Sequence, residues 1–204
     1  MKRRILFLSL VLAVGLLTYA ITCSQSSDTT PIRHYKEVNY PSPNVDSTAR
    51  NEVIGVILHH TAEPTIERSL QVLTSPSRKV STHVCIDTDG TRYIMAKPEQ
   101  VAWHAGASIL NGRERCNTFC IGIEFQGNTV EAPLTEDQMY SAIEYLLPIM
   151  RQYNIPLENV VTHEMVRRAY KAKYPNSRVY DKVDITQAEY HRFMPLLKAA
   201  DQNY

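Results

Sequence analysis

The sequence lacks an excess of charge of either sign, internal repeats and low-complexity tracts. Its 22 lysine and arginine residues nearly balance 21 aspartate and glutamate residues, so the formal net charge is +1 over 204 residues. This balance gives no electrostatic basis for binding nucleic acid, and no such partner is predicted. The hydrophobic fraction of 44% and the charged fraction of 21% are ordinary for a globular protein with one sizeable core.

Compact metal-binding signatures are also absent. Neither an HExxH motif nor a CxxC pair occurs, so any metal site needs ligands from separate segments of the chain. Of the four cysteines, Cys85 lies in an apolar alternation and is predicted to be a buried thiol. Cys116 and Cys120 would bridge only across a sharp turn, and no disulfide is predicted.

The N-terminus has the character of an export signal and is set apart from the fold. The positive start MKRR precedes the apolar run ILFLSLVLAVGLLTYAI, which ends just before Cys23. We predict a lipoprotein-type signal over residues 1–23 with Cys23 as the lipidated residue; ordinary cleavage and an uncleaved anchor are the alternatives. All three export the protein, so we expect a cell-envelope or periplasmic location, and the lipoprotein signal adds a lipid anchor in a membrane. Residues 24–50 are predicted to be a tether and an extended lead-in.

Strands and helices mix over residues 51–204, which are predicted to form one domain. Hydrophobic patterns predict four strand segments, at 53–60, 82–96 (a hairpin around DTDG), 120–127 and 159–163. Helix starts are predicted at Thr65 and at the capping boxes TEDQ (135–138) and TQAE (186–189). The pattern is typical of an α/β single domain with a central mixed β-sheet flanked by helices.

Polar residues stand where the predicted strands end. His59 and His60 close the first strand, His163 closes the last, and Glu124 lies inside the apolar strand IGIEF. Successive strand residues point to opposite faces, so His59 and His60 cannot serve the same site. A carboxylate inside an apolar strand is costly unless it is paired or faces a polar cleft. His163, Glu124 and one of the two adjacent histidines are therefore candidates for a common site at the sheet edge.

Two histidines from different strands supply two of the three protein ligands that a catalytic zinc ion requires. The segment DKVDIT (181–186) offers Asp181 and Asp184 as a third ligand just before the last helix. Alternating charge before a capped helix is also typical of a solvated loop. The residues alone therefore do not decide between a metal-binding segment and a solvated loop.

Several motifs in combination resemble one enzyme family. In chain order they are VILHHTA, STHVCIDTDGTRYIMAKPEQVAWHAG, CNTFCIGIEFQG, VTHEMV and KVD. Over roughly residues 53–200 the sequence is similar to the zinc-dependent N-acetylmuramoyl-L-alanine amidases. This amidase-2 group also includes peptidoglycan recognition proteins, and the resemblance implies their fold.

The resemblance implies one catalytic zinc ion held by His59, His163 and Asp184. Lys182 matches the family's lysine two residues before the third ligand and is implied to stabilise the oxyanion. The chain departs from the family pattern in lacking PGR before this lysine and PG after the ligand, and in carrying RRAYKAKYPNSRVY after His163. Asp181 therefore stays open as an alternative third ligand.

The family also implies a proton carrier and a substrate groove. Glu124 is implied to take the proton of the attacking water and to deliver it to the leaving amine. Other branches use a tyrosine as the base, and Thr82 stands at that position here. Substrate contacts or wall positions are implied for Trp103, His104, Ala105, Asn117 and His83.

The family cleaves the amide between the lactyl group of N-acetylmuramic acid and the L-alanine of the stem peptide. The resemblance therefore implies peptidoglycan or muropeptides as the substrate, and we expect a monomer. A non-catalytic peptidoglycan-binding module of the same fold is the alternative, because some recognition proteins lose a zinc ligand. Retention of His59, His163 and a carboxylate at the third position favours catalysis.

Overall fold

Short strands and helices alternate in the computed structural model, which describes residues 34–179 and 183–203. The strands are β1 (Glu37–Asn39), β2 (Val45–Arg50), β3 (Gly55–His60), β4 (Val84–Ile86), β5 (Arg92–Ile94), β6 (Gln100–Ala102), β7 (Ile109–Leu110), β8 (Arg113–Glu114), β9 (Cys120–Phe125) and β10 (Val160–Thr162). The helices are α1 (Ile66–Thr74), α2 (Glu136–Tyr153), α3 (His163–Lys173) and α4 (Gln187–Asn203). Single turns of 3-10 helix, Cys116–Thr118 and Leu157–Asn159, lead into β9 and β10.

Six strands form the central sheet, in the order β1-β5-β4-β9-β3-β10. Neighbouring strands run parallel except β4 and β5, which pair antiparallel as the predicted hairpin around DTDG. The predicted fold class, a mixed sheet flanked by helices, is confirmed. Because β9, β3 and β10 are parallel neighbours, their carboxyl ends meet at one edge, where open α/β sheets bind ligands.

Alternation along β3 divides its side chains between the two faces of the sheet. Val56 and Leu58 belong to the large core that α2 and α4 cover. Ile57 instead packs in a second cluster that includes Val166 of α3. By the same alternation His59 lies on the Ile57 face, whereas His60 lies on the face beneath α2 and α4.

The helices begin at the predicted caps. Thr65 caps α1, and Thr135 forms a complete capping box with Gln138 at the start of α2. At α4 the hydroxyl oxygen of Thr186 accepts from the Glu189 N–H at 3.4 Å. In a complete capping box the Glu189 carboxylate would accept from the backbone N–H of Thr186. Here it accepts instead from the N–H of Leu134 at 2.8 Å. This contact ties α4 to the loop before α2.

Helix α3 was not among the predicted helices and includes the first half of the segment RRAYKAKYPNSRVY that follows His163. Only His163 and Val166 are buried among its 11 residues, so its apolar stripe is too narrow to give a helical period. The prediction that His163 ends a strand is wrong. β10 ends at Thr162, whose side chain accepts from the Met165 N–H and makes His163 the first residue of α3.

Strands β1 and β2 lie within the stretch predicted to be a tether and lead-in. β1 pairs with β5 in the central sheet, and β2 pairs with β6. Packed structure therefore begins before residue 51. Residues 1–33, including the predicted signal segment and Cys23, lie outside the described residues. Within the described part, no helix has the length and apolar character needed to cross a membrane.

The cysteines of the described residues, Cys85, Cys116 and Cys120, are free and buried. Cys85 is thus confirmed as a buried thiol. Burial, followed by the charge of the neighbouring Glu124, raises the pKa of this thiol well above its usual value. Such a thiol is protonated and packs as a small apolar group.

Candidate active site

The carboxyl edge of the sheet brings the predicted polar residues together. β3 and β9 pair with His59 opposite Glu124, and paired residues of parallel neighbours project from the same face. β10 pairs with β3, so His163, directly after β10, lies beside the end of β3. Asp184 joins them from the segment before α4. The ligand atoms of His59, His163 and Asp184 lie within 4.8 Å of one another, and all three residues are buried.

A chain of hydrogen bonds fixes which nitrogen of His59 faces this cluster. The Nε2 atom of His104 lies 3.3 Å from the carbonyl oxygen of Cys120, and a carbonyl can only accept. Burial, with the neighbouring His59 and His83 adding to it, lowers the pKa of His104 well below its usual value, so its ring is neutral. Its Nδ1 atom therefore accepts from the Nε2–H of His59 at 3.1 Å. This network leaves the Nδ1 lone pair of His59 facing Oδ2 of Asp184, 3.0 Å away.

His163 is oriented in the same manner from a different element. Its Nε2 atom lies 3.1 Å from the carbonyl oxygen of Ala105, so this nitrogen carries the proton. The Nδ1 atom of His163 then turns its lone pair toward Oδ2 of Asp184, which it contacts. Hydrogen bonds from the second nitrogen to a protein oxygen are how proteins orient histidine ligands of metals.

Asp184 is fully buried and is a carboxylate. Burial by itself raises its pKa, but Nδ1–H groups of His163 and His59, when these atoms carry protons and donate to the carboxylate, outweigh burial and hold the pKa well below its usual range. With the tautomers assigned above, two nitrogen lone pairs and one carboxylate oxygen face a common point. Groups so arranged repel one another unless a cation lies between them.

This donor set fits a zinc ion. Two imidazole nitrogens and one carboxylate oxygen are the protein ligands of one class of catalytic zinc site, in which the fourth position is left open. Nitrogen-rich sets of this kind are less suited to magnesium or calcium, which prefer oxygen ligands. The geometry therefore agrees with the metal set implied by the resemblance. Asp181 and Lys182 lie outside the described residues, so both stay predictions.

Glu124 is separate from this ligand set but adjacent to it. It is partly exposed and lines a groove of about 340 Å³ that opens over the cluster together with His59, His163 and Asp184. A cavity of this size is typical of small-ligand sites. Thr82, at the position of the alternative base, is completely buried. Among the described carboxylates that line the groove outside the ligand set, Glu124 is the one that pairs with His59 in the sheet.

The WHAG segment lines the groove, as implied by the resemblance. Trp103 and His104 lie on its wall near Glu124, and Asn117 lines the continuation of the groove beyond them. The Asn117 side-chain oxygen also accepts from the N–H groups of His104 at 3.1 Å and Ala105 at 2.8 Å. Asn117 thereby holds in place the segment that orients both histidine ligands.

Two of the implied substrate contacts or wall positions are buried residues with hydrogen bonds inside the protein. His83 is completely buried; its Nδ1 accepts from the Gly122 N–H at 2.9 Å and its Nε2 donates to the Gln100 carbonyl at 3.0 Å. Burial lowers the pKa of His83 to about 4, which keeps it neutral in this network. Ala105 is also buried, and its carbonyl orients His163. His83 therefore supports the site from behind the groove, whereas Ala105 orients His163 and also borders the continuation of the groove.

His60, on the opposite face of the sheet from His59, forms a hydrogen bond that supports the site. Its Nδ1 accepts from the Thr129 N–H at 3.0 Å. The hydroxyl of Thr129 donates to the carbonyl oxygen of Asp184 and accepts from the Thr186 N–H, both at 3.1 Å. His60 thus anchors the segment that carries the third ligand. Thr129 was missed because nothing in its local sequence indicates a contact with residues so distant in the chain.

Gly122 allows His104 to approach His59. A methyl group at Gly122 would lie 2.5 Å from Cγ of His104, closer than side chains pack. Glycine inside a strand pattern often marks such a close approach. We expect Gly122→Ala to displace the His104 ring and lower both zinc affinity and kcat/KM by roughly 10-fold to 100-fold, the cost of losing an outer partner of a metal ligand.

A double-mutant cycle checks this effect. If Gly122 acts through His104, adding Gly122→Ala to His104→Ala should cost little beyond His104→Ala alone. Fully additive losses in zinc affinity would contradict the argument.

Comparison with known proteins agrees with this geometry. A family model described as N-acetylmuramoyl-L-alanine amidase (Amidase_2) matches residues 49–180. The chain is 41% identical over 88 residues to the 1,6-anhydro-N-acetylmuramyl-L-alanine amidase AmpD of Haemophilus influenzae, which covers 42% of this chain and 46% of the relative. It is 32% identical over 124 residues to the N-acetylmuramoyl-L-alanine amidase AmiD of Escherichia coli, covering 53% of this chain and 44% of the relative. The chain spans less than half the length of these two relatives.

Solved structures share the fold. A selenomethionine derivative of AmpD matches with a TM-score of 0.56 at 23% identity, covering 81% of this chain and 97% of the other. PlyL matches with a TM-score of 0.56 at 17% identity, again covering 81% of this chain and 97% of the other. At these identities the likeness concerns the arrangement of sheet and helices.

Proposed function

The chain belongs to the N-acetylmuramoyl-L-alanine amidase family, and from that premise we propose that it is a zinc-dependent amidase of peptidoglycan or its fragments. The bond cleaved is the amide between the lactyl group of N-acetylmuramic acid and the L-alanine of the stem peptide. The observation that carries the proposal is the convergence of the Nδ1 atoms of His59 and His163 on Oδ2 of Asp184. The names of the relatives support amide hydrolysis, and the donor set supports zinc.

The zinc ion would be held by His59, His163 and Asp184. When bound, it supplies a Lewis acid that lowers the pKa of a water molecule toward neutrality and polarises the scissile carbonyl. His104 and the Ala105 carbonyl hold the two imidazoles in the tautomers that binding requires. The protein therefore orients its ligands before the metal arrives, which limits reorganisation during the reaction.

Glu124 would move the proton in this scheme. Its register opposite His59 places a carboxylate beside the ligand cluster, and its partial exposure gives that carboxylate access to the groove. A carboxylate in that position takes a proton from the attacking water and returns it to the leaving amine of L-alanine. Lys182 is proposed, from the resemblance, to stabilise the oxyanion.

Metal removal tests the proposal. We expect the purified protein to release free stem peptides from peptidoglycan, a chelator to stop the release, and added zinc to restore it. Mass spectrometry of the soluble products measures the peptide directly. If the protein binds zinc and peptidoglycan but releases no peptide, it is instead a peptidoglycan-binding module of the same fold.

A further inference from the structure

Two buried thiols lie next to each other across a single turn of the chain. Cys116 begins the 3-10 turn Cys116–Thr118, and Cys120 is the first residue of β9. The Phe119 N–H donates to the Cys116 carbonyl at 3.1 Å and closes the turn. Both cysteines are fully buried in one cluster, and their thiols hydrogen-bond with each other. The sharp turn that a bridge between these two residues requires is therefore present in the structure.

The surrounding residues hold the two sulfur atoms in place. A methyl group at Gly55 of β3 would lie 3.0 Å from Sγ of Cys120, so β3 closes one side of this sulfur. The Ser108 hydroxyl accepts from the Cys116 N–H at 3.2 Å. The remaining cysteine of the described residues, Cys85, packs in a separate cluster with α1. Within the folded chain, the exchange partner of each of these two thiols is therefore the other.

The turn between the two cysteines carries groups that orient the ligand histidines. Asn117 lies inside the turn and accepts from the N–H groups of His104 and Ala105. The Cys120 carbonyl accepts from Nε2 of His104 at 3.3 Å. The His104 ring and the Ala105 carbonyl then orient the two histidine ligands of the candidate zinc site. A constraint on this turn therefore reaches the ligands through hydrogen bonds.

We propose that Cys116 and Cys120 form a disulfide in an oxidising environment and that this bridge locks the turn that orients the ligand histidines. The export signal predicted for residues 1–23 would bring the chain to such an environment. The structure is then the dithiol form of a redox pair. Cys85 stays a thiol in both forms, because no other cysteine of the described residues shares its cluster.

The contact between the thiols assigns their roles in forming the bridge. The hydrogen bond from Cys120 lowers the pKa of the Cys116 thiol, and the same bond, followed by burial, raises the pKa of the Cys120 thiol. Since the thiolate is the nucleophile, Cys116 attacks an external disulfide, either oxidised glutathione or the disulfide of an oxidoreductase, and one external thiol leaves. Cys120 then attacks the Cys116 sulfur, and the second external thiol leaves. The two cysteine thiols are oxidised, their protons pass to the leaving thiolates, and the external disulfide is reduced.

Refolding in a glutathione buffer tests whether the bridge forms. The protein is reduced and unfolded, refolded with reduced and oxidised glutathione, and then alkylated in denaturant. Both cysteines lie in the tryptic peptide that follows Arg115, so a bridge leaves this peptide unalkylated and lighter by two hydrogen atoms. We expect mass spectrometry to show this peptide bridged and Cys85 alkylated. Alkylation of both Cys116 and Cys120 would overturn the proposal.

The bridge should also stabilise the metal-free protein. We expect the Tm of the oxidised protein to exceed that of the reduced protein by roughly 4–8 °C, because the bridge closes a short loop in the unfolded chain. Cys85→Ala is the matched control: it removes a buried thiol but should keep this difference. In Cys116→Ala/Cys120→Ala the difference should vanish. Equal Tm values for the two redox states of the unchanged protein would contradict locking of the turn.

Zinc affinity measures whether the bridge acts on the ligands. We expect the oxidised protein to bind zinc roughly tenfold more tightly than the reduced protein, the lower end of what an outer partner of a metal ligand contributes. Competition with a chromophoric chelator, with zinc alone as the probe, measures this without turnover. Cys116→Ala/Cys120→Ala should have the affinity of the reduced protein under both conditions, as it should if the free thiols are not ligands. Equal affinity in the two redox states of the unchanged protein would overturn the link between the bridge and the site.

These measurements separate the redox pair from the proposed function. The bridge itself does not depend on that function, whereas its effect on zinc rests on the proposed zinc site. If the bridge forms and tightens zinc binding but no stem peptide is released, the redox proposal stands and the enzyme assignment fails. If peptide is released and no bridge forms, the enzyme assignment stands and the redox proposal fails.

Discussion

Asp184→Asn is expected to weaken zinc binding by at least about 100-fold, more than the loss of an outer partner costs, and to abolish hydrolysis. The substitution keeps the size of the side chain but replaces a negative oxygen with a neutral amide. In the structure Oδ2 of Asp184 faces Nδ1 of both His59 and His163. Without its charge, the two remaining nitrogen ligands hold the metal weakly. Competition against a chromophoric chelator measures the affinity, and peptide release measures the activity.

Asp181→Asn is the matched control, since Asp181 is the other aspartate of DKVD. It should retain zinc stoichiometry and activity close to those of the unchanged protein. The opposite pattern, zinc lost in Asp181→Asn and kept in Asp184→Asn, would show that the third ligand is misassigned. Circular dichroism of the metal-free variants checks that either loss reflects the site and not unfolding.

The strands that carry the site could be predicted from the sequence because their periodicity is local. Alternation alone separated His59 from His60, and the structure places them on opposite faces as expected. Asp184 was different, because the residue pattern offered Asp181 and Asp184 alike as the third metal ligand. Only the family resemblance favoured Asp184. Its convergence with His59 depends on a contact across 125 positions, for which a single sequence contains no signal.

The supporting contacts could not be predicted for the same reason. His104 was expected to contact substrate, yet both of its nitrogens bond within the protein, to His59 and to the Cys120 carbonyl. Thr129 joins His60 to the backbone of Asp184 and Thr186 through three hydrogen bonds that no motif marks. Residues in a motif identify where a site is. Which of them touch substrate and which orient a ligand depends on tertiary packing.

Helix α3 was missed because its stability comes from its neighbours. A helix with two buried residues has little amphipathic signal, and such helices rely on tertiary contacts more than on propensity. Its place in the fold nevertheless follows from the site. Thr162 caps α3 directly after β10, so His163 is the first residue of the helix. Arg167, about one turn later, lines the groove.

Glu124→Gln is expected to lower kcat by roughly 10²-fold to 10⁴-fold, the usual contribution of a positioned general base, while leaving zinc affinity within about twofold. The glutamine keeps the shape of the side chain and its place opposite His59, but it cannot accept the proton of the attacking water. Zinc binding should persist because the three ligand atoms come from His59, His163 and Asp184, which this substitution does not alter. Steady-state kinetics and zinc stoichiometry on the same preparation measure the two effects together.

Glu63→Gln is the control for the charge of the groove. Glu63 also lies at the groove, but its carboxylate pairs with Arg68 at 3.4 Å. It should change kcat by less than about threefold, because surface ion pairs contribute little.

A Glu124→Gln protein that loses zinc would make Glu124 a ligand instead of a base. One that retains full activity would require another proton acceptor, and no other carboxylate of the described residues that line the groove stands opposite His59 in the sheet. Glu124 of β9 is therefore the residue through which proton transfer can be separated from metal binding. Comparing Glu124→Gln with Glu63→Gln tests this separation.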